Sequence, residues 1–336
     1  MRKPIAIIML NWNGTRDTIA CLDSLKAHLD LYDIFLLDNA SEASQEQLLA
    51  EHLRQITDYR VSFLTDKAFS REDLDPACDL YYITSGENLG FAGGNNYVSS
   101  MISPEHPYVL LLNNDTVVEG NAIGSMLELI RKEGHAAVTC DIRVFDKPDT
   151  QWSAGGKFTW YCDRKYYPKS KIDRLKAQGV TAIAAEFVTG CALLIDSTYI
   201  QKNGLFTDLF FHGEEDYDFC LKVKENGKTI GVDLTAIIYH KVGRSIHRQA
   251  NAKRLCSNVL HYTNRLVDYK NRFGRIKWTL WKEFYLLLLA FRKLVARRDN
   301  LHHILLVNRK IRYYARRYDH VRKDVFLKIM SDPDLT

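Results

Sequence analysis

Little in the sequence ties it to a redox, zinc-ribbon or membrane-spanning class. Its seven cysteines, at positions 21, 78, 140, 162, 191, 220 and 256, are scattered and form no C-x-x-C pair. That spacing argues against a zinc ribbon or a redox motif and points to reduced, structural thiols in a cytosolic setting. The longest late apolar run, Phe284 to Phe291, falls far short of the ~20 residues that a membrane span needs. At the N-terminus, Ile5 to Leu10 follows Arg2 and Lys3, but it is too short for a signal peptide and lacks a small-residue cleavage site. The chain is therefore expected to be cytoplasmic, or peripheral on the inner face of the plasma membrane. The dinucleotide fingerprint G-x-G-x-x-G is missing, as are internal repeats, low-complexity tracts and any nucleic-acid-binding motif.

What is present is the composition of a folded protein, 46% apolar and 26% charged over 336 residues. That length accommodates one large α/β domain with additions, or two smaller domains. The net charge of +5 conceals a split. From Lys241 onward 23 Lys and Arg face 7 Asp and Glu, a balance of +16, which leaves −11 for Met1 to His240. A basic C-terminal third calls for an anionic partner, a membrane surface or a nucleic acid. With no nucleic-acid motif beside the charge, the membrane surface is the expectation.

The first 120 residues alternate strand-like and helix-like segments. Ile5 to Leu10 reads as a strand ending at Asn11-Trp-Asn-Gly14, with Thr15 or Asp17 placed to cap the next helix through Leu25. Asp33 to Leu37 ends at Asp38-Asn39-Ala-Ser41, and a helix follows to about Leu53. Val61 to Leu64 and Asp79 to Thr84 are further strands, separated by a polar insertion. A glycine-rich turn, Gly86 to Asn96, leads into a helix over Asn95 to Ile102. Tyr108 to Leu112 is an apolar strand ending at Asn113-Asn114-Asp115, before a helix over Ala122 to Lys132. This rhythm predicts a mostly parallel sheet flanked by helices. Ligands of such sheets bind beyond the carboxyl ends of the strands, so all three polar strand ends fall at one edge.

Beyond residue 136 the pattern loosens. Strands are expected at Ala136 to Thr139 and Phe187 to Ile195, joined by a loop with Trp152-Ser-Ala-Gly-Gly156. A helix over Glu214 to Glu225 stops at Asn226-Gly227, and Ile230 to Tyr239 is a last strand ending in His240. From about Arg248 the chain reads as successive basic, aromatic helices. The expected division is a catalytic domain over 1–247, in halves 1–120 and 121–247, followed by a helical region over 248–336.

Asn113-x-Asp115 at a strand end offers oxygen ligands to Mg2+ or Mn2+, which one or two carboxylates plus phosphate oxygens typically hold. An Asx-rich turn has the same appearance. In Asn88-Leu-Gly90-Phe-Ala-Gly93-Gly94 the glycines let backbone approach a ligand at a helix start. A plain turn is the alternative. Glu214-Glu215-Asp216-Tyr-Asp218 packs four carboxylates into five positions, more than helix capping needs, so that one can accept a proton. His240 is either a structural histidine or, beside a metal, a ligand.

The chain resembles the bacterial family-2 glycosyltransferases of the GT-A fold, in particular a rhamnosyltransferase-like branch that builds surface polysaccharide. The resemblance runs from about Pro4 to Ser245. It rests on N-W-N-G, L-D-N-A-S, N-L-G-F-A-G-G-N-N, L-L-N-N-D, T-G-C-A-L-L-I, F-F-H-G-E-E-D-Y-D-F-C-L-K and Y-H-x-x-G-x-S, in that order. It implies that Asn11 and Asp38 line the nucleotide pocket, Asp38 at the base, with Asn88 and Gly90 beside the nucleotide sugar. Asn113, Asn114 and Asp115 would meet the donor. Asp115, with Asn113 where the family has its first Asp, would hold a divalent cation that His240 completes. Thr189 and Gly190 would line the donor-sugar and acceptor side, together with Trp152. Asp216 would be the catalytic base, kept ionised by its helix start, with Glu215 and Asp218 as neighbours. One displacement implies inversion of configuration. The donor would be a dTDP- or UDP-linked sugar, dTDP-rhamnose first, and the acceptor a glycan or lipid-linked sugar.

The basic C-terminal helices suit that acceptor. Trp278, Trp281, Phe284, Tyr285 and Leu286 to Leu289, flanked by Arg272, Arg275, Lys277, Arg292 and Lys293, have the make-up of an interfacial helix. A helical hairpin packed on the catalytic domain, or against the partner of a homodimer, has the same composition. A nucleotidyltransferase or an NAD-dependent enzyme on a similar sheet is the competing class.

Overall fold

The computed structural model describes residues 3–65, 74–102, 104–242, 254–296 and 300–335. Strands β1 (Ile5–Asn11), β2 (Tyr32–Asp38), β3 (Val61–Thr65), β4 (Leu80–Thr84) and β5 (Tyr108–Leu112) alternate with helices α1 (Thr15–Leu25), α2 (Ala43–Gln55) and α3 (Gly90–Met101). Short β6 (Thr116–Val118) and α4 (Ala122–Glu133) follow. β1, β2, β4 and β5 are buried at nearly every position because helices cover both faces, whereas the edge strand β3 is half-exposed. Ile5, Ile7, Met9, Leu110 and Leu112 pack beneath α1, α2 and α4. Ala6, Ile8, Val109 and Leu111 pack on the other face, against Ala92 and Val98 of α3.

The chain next adds β7 (Ala137–Val144), β8 (Lys147–Ser153), β9 (Gly156–Phe158), β10 (Arg164–Tyr166), α5 (Lys169–Ala177), β11 (Ala182–Ala185), β12 (Ala192–Asp196), α6 (Ser197–Asn203), α7 (Glu215–Glu225) and β13 (Ile230–His240). The sheet runs β11-β13-β7-β12-β5-β1-β2-β4-β3, with β6 on β13 and β8 on β7. Pairing is parallel from β5 through β1, β2 and β4 to β3, and antiparallel where β12 enters between β5 and β7. Asn11 lies beside Asp38, and Asp38 beside Thr84, so the polar strand ends do share one edge.

Several local expectations change. α1 starts at Thr15 behind Gly14 with no side-chain cap; the Thr15 hydroxyl donates to Gln45 O instead. α3 starts at Gly90, not near Asn95. The strand expected over 187–195 covers only Ala192–Asp196, and T-G-C lies in the turn before it. β8 to β11 and α5 occupy what reads as loop, because they are short and mostly exposed or half-buried and so carry no apolar period. Residues 66–73 of the polar insertion, the expected boundary at 247, and Gly243 and Ser245 of Y-H-x-x-G-x-S lie outside the described residues.

Helices α8 (Arg254–Arg272), α9 (Arg275–Val295), α10 (Leu301–Arg317) and α11 (Lys323–Met330) form a third core, which also takes in Phe210. They bind the sheet-bearing part of the chain directly. Phe211 N donates to Val321 O at 2.9 Å, and Val321 N to Leu209 O at 2.7 Å. Arg272 pairs with Asp218, and Arg265 with Asp163. The residues expected on an interfacial face divide accordingly. Trp278, Tyr285, Leu286 and Leu289 are buried in this core, whereas Phe284 and Leu287 are exposed. All seven cysteines are free thiols. Among the described residues no helix is long and apolar enough to cross a membrane.

Candidate active site

At the polar edge, Asn11 is the hub of a buried network. Its Oδ1 accepts from Gly14 N at 3.1 Å, Thr18 Oγ1 at 3.0 Å and Asn114 Nδ2 at 3.2 Å. Its Nδ2 donates to Asp38 Oδ2 at 2.7 Å, and Asp38 Oδ1 accepts from Ser41 N at 2.8 Å. A fully buried amide with all its groups engaged has none left for a nucleotide. Asn11 therefore orients Asp38 rather than lining the pocket itself. Asn114 commits its amide nitrogen to Asn11 and Thr18, bracing the end of β5 against α1.

The glycine-rich segment is shaped by the protein's own backbone. Asn39 Nδ2 donates to Gly90 O at 3.1 Å, Leu89 N donates to Asn39 Oδ1 at 2.8 Å, and Asn88 Oδ1 accepts from Gly90 N at 2.8 Å. Gly90 has φ +74°, and a Cβ there would sit 2.2 Å from Phe211 O. A Cβ on Gly94 would meet Leu10 at 3.0 Å. These glycines seat α3 against β1 and the Phe211 backbone, so close approach to a ligand is not what Gly90 supplies. Gly90→Ala combines a left-handed φ with a backbone clash and is expected to destabilise the fold by about 2–4 kcal/mol, read by chemical denaturation. Asn39, which ties the loop to β2, is a positioning residue that the sequence reading passed over.

Asp115 and His240 meet at the other strand ends. His240 Nε2 lies 3.1 Å from Asp115 Oδ1, and Lys241 N donates to Asp115 O at 2.9 Å. The antiparallel pairing of β13 with β6, which sets His240 opposite Thr116, brings the two together. Trp152 packs edge-on against His240, with ring centroids 4.5 Å apart. His240 Nδ1 is buried with no hydrogen-bond partner, so Asp115 at Nε2 and the packing of Trp152 orient the ring. Asn113 is fixed through its backbone, its N–H donating to Cys191 O at 2.8 Å and its carbonyl accepting from Thr116 Oγ1. Among the described residues no three His, Cys, Asp or Glu converge on one point. One carboxylate and one imidazole suit a cation that takes its other ligands from a diphosphate and water.

The acidic helix start sorts into separate tasks. Glu214, buried, pairs with Arg164 of β10, whose guanidinium also covers the Tyr217 ring at 3.1 Å. Glu215 accepts from Gly213 N and Glu214 N, closing its own helix start. Asp218, buried, is held by Arg272 of α8 and by Lys222, so it anchors the C-terminal helices and is not at the acceptor side. Among the described residues no cation bonds Glu215 or Asp216, and Asp216 reaches out of its own helix start to Gly190. Its Oδ2 accepts from Gly190 N at 3.1 Å and its Oδ1 from Tyr217 N at 2.8 Å. Next to Gly190, the Thr189 hydroxyl is buried and unpartnered.

Burial and the adjacent Glu215 push Asp216 up to about 7, with Arg164 and the Gly190 N–H opposing the rise. The expectation that the helix start keeps Asp216 well ionised is thereby corrected. A helix N-terminus contributes about 0.3–1 kcal/mol, whereas burying an ion costs several. Arg164 had no signal in the sequence, since only the buried Glu214 explains an arginine 50 residues away.

Residues 6–201 match the model of the family described as Glycosyl transferase family 2. No curated protein matches the chain. Among solved structures, GalNAc-T7 with UDP, GalNAc and Mn2+ superposes at TM-score 0.54 and 13% identity over 71% of this chain and 44% of that one. The present chain thus spans less than half the length of that relative. The mannosyltransferase PcManGT from Pyrobaculum calidifontis, in complex with GDP-Man and Mn2+, matches at TM-score 0.52 and 12% identity over 98% of this chain and 85% of that one. S. aureus TarS 1-349 matches at 0.53 and 10% over 99% and 82%. At these identities the likeness is one of fold.

Proposed function

The chain belongs to glycosyl transferase family 2 and is a glycosyltransferase, and from that premise we propose that it transfers a sugar, with inversion, from a nucleotide-diphospho-sugar to an acceptor hydroxyl. The carrying observation is the Gly190-Cys191 dipeptide. Its Gly190 N–H holds Asp216, and its Cys191 carbonyl holds the strand end that presents Asp115. One rigid peptide thus joins the base to the donor's diphosphate side.

In this reading residues 1–247 are the catalytic unit. Asp38, set by Asn11, and the loop carrying Asn88 bound the nucleotide. Thr189, Gly190 and Trp152 flank the donor sugar. Asp216 receives the proton of the acceptor hydroxyl as its oxygen bonds to the anomeric carbon and the bond to the diphosphate breaks, releasing nucleoside diphosphate. One displacement inverts the anomeric centre. Asp115 and His240, with Asn113 beside them, would hold a divalent cation, Mn2+ or Mg2+. When bound, that cation supplies Lewis-acid stabilisation of the departing diphosphate.

dTDP-rhamnose is the first donor by motif resemblance, and a UDP-linked sugar is the rival. The acceptor is a glycan or lipid-linked sugar of surface polysaccharide, met at the inner leaflet by the C-terminal helices. Donor hydrolysis across dTDP-, UDP- and GDP-sugars, paired with thermal shifts by the free nucleotides and NAD with and without Mn2+, tests this. A metal-dependent shift with one nucleotide diphosphate and hydrolysis of its sugar are expected. Stabilisation by NAD, or release of pyrophosphate from a nucleoside triphosphate, would contradict it.

A further inference from the structure

Helix α9 has two apolar faces, and only one is covered. Trp278, Tyr285, Leu286 and Leu289 turn into the C-terminal core. On the outside, Ile276, Leu280, Phe284, Leu287, Phe291, Leu294 and Val295 are 43–79% exposed. Successive members lie three or four residues apart, apart from the neighbouring Leu294 and Val295. At about 100° per residue they therefore share one arc about 100° wide. The stripe runs the length of a 21-residue helix, about 31 Å. Trp160 extends it. This residue, 83% exposed between β9 and β10, lies beside Phe284 with ring centroids 5.7 Å apart. A continuous exposed apolar band of this length is a contact surface, unlike singly scattered surface residues.

The flanking charge identifies what it contacts. Arg275 and Lys277 are exposed along α9, and Arg292, also exposed, pairs with Asp163. Its one acidic residue, Glu283, is taken up by Lys282, Arg312 and Arg316. An apolar stripe bordered by cations complements an anionic bilayer, whereas two copies brought face to face would oppose like charges.

We propose that the outer face of α9, with Trp160, is a lipid-docking surface that lies in the headgroup boundary of an anionic membrane. The inference deepens the membrane-side acceptor reading given above and rests on it. It also ties the surface to the site. The β9–β10 hairpin that carries Trp160 in its turn places Arg164 opposite Phe158, at the pair next to that turn, and Arg164 holds Glu214, two residues from Asp216. Docking α9 therefore brings the bilayer to the hairpin that braces the acidic start of α7.

The test is sedimentation of the full chain with vesicles of phosphatidylcholine alone and of phosphatidylcholine with phosphatidylglycerol. Binding to the anionic vesicles, weakened by salt, is expected. The double variant Leu280→Asp/Leu287→Asp should lower partitioning by at least about tenfold, and Lys277→Glu by less. Both should keep the wild-type melting temperature and its rate of donor hydrolysis in solution. Equal vesicle binding by wild type and double variant overturns the proposal. So does a wild-type dimer that the double variant dissociates and that binds no vesicle, which would assign the face to a second copy. Vesicle binding needs no turnover, so failure of the donor assay alone would count against the enzymatic reading and leave the surface standing.

Discussion

Asp216→Asn lowers sugar transfer by about 10²–10⁴-fold, the usual contribution of a positioned base, while nucleotide-sugar affinity stays within about twofold. Asn keeps the size of the side chain and an oxygen to accept from Gly190 N, so the Gly190-Cys191 link survives. What is removed is a single proton acceptor. The neighbouring carboxylates cannot substitute, because Glu214 is bound to Arg164, Glu215 to its own helix start and Asp218 to Arg272 and Lys222. Stability separates this loss from unfolding. Asp216 is raised from 3.8 to about 7 by burial and Glu215, so between those values the native state holds more protons than the unfolded chain. Stability therefore falls as pH rises through that window, and the penalty is complete above it. The Asn variant carries no such penalty. It should melt higher than wild type near pH 8 and no higher near pH 4, checked by thermal denaturation at both.

Asp115→Ala is the second large effect. Asp115 is the one carboxylate at the L-L-N-N-D strand end, and among the described residues it is His240 that pairs with it, at 3.1 Å. With so few protein ligands, losing the carboxylate leaves an imidazole that cannot hold a hard cation on the diphosphate by itself. A bound cation supplies several kcal/mol of charge stabilisation, so transfer should drop by about 10³-fold or more. In calorimetric titration the increase in donor affinity on adding Mn2+ should vanish. His240→Ala should weaken that increase without abolishing it. Donor affinity in Asp115→Ala that still rises with Mn2+ would move the metal elsewhere.

The common edge of the three polar strand ends was legible in the chain because register follows the apolar runs. Four largely buried strands, β1, β2, β4 and β5, could pair in few ways, and the ends at Asn11, Asp38 and Asn114 meet through hydrogen bonds. The bracing role of Asn11 and Asn114 was not legible, since a strand-end amide looks the same whether it faces a nucleotide or a neighbouring helix. Gly90 misled for a similar reason. A glycine required by a backbone 121 residues later leaves no local pattern, and the Phe211 carbonyl shows only in the packed molecule. On Asp216 the helix start was read correctly and weighed wrongly, because burial depends on Glu214, Arg164 and Tyr217 closing around it. The orientation of α9 was ambiguous because its apolar residues surround much of the helix. Only the contacts of Trp278 and Tyr285 show which face is covered.

The most direct test of Asp216 as the base is the pH dependence of transfer at saturating donor and metal, for wild type and Asp216→Asn together. Wild-type kcat should fall as pH drops through about 7 and level off above it, while the variant's small residual rate shows no such inflection. An inflection near 7 that persists unchanged in Asp216→Asn would assign the titrating base to another residue and contradict the account.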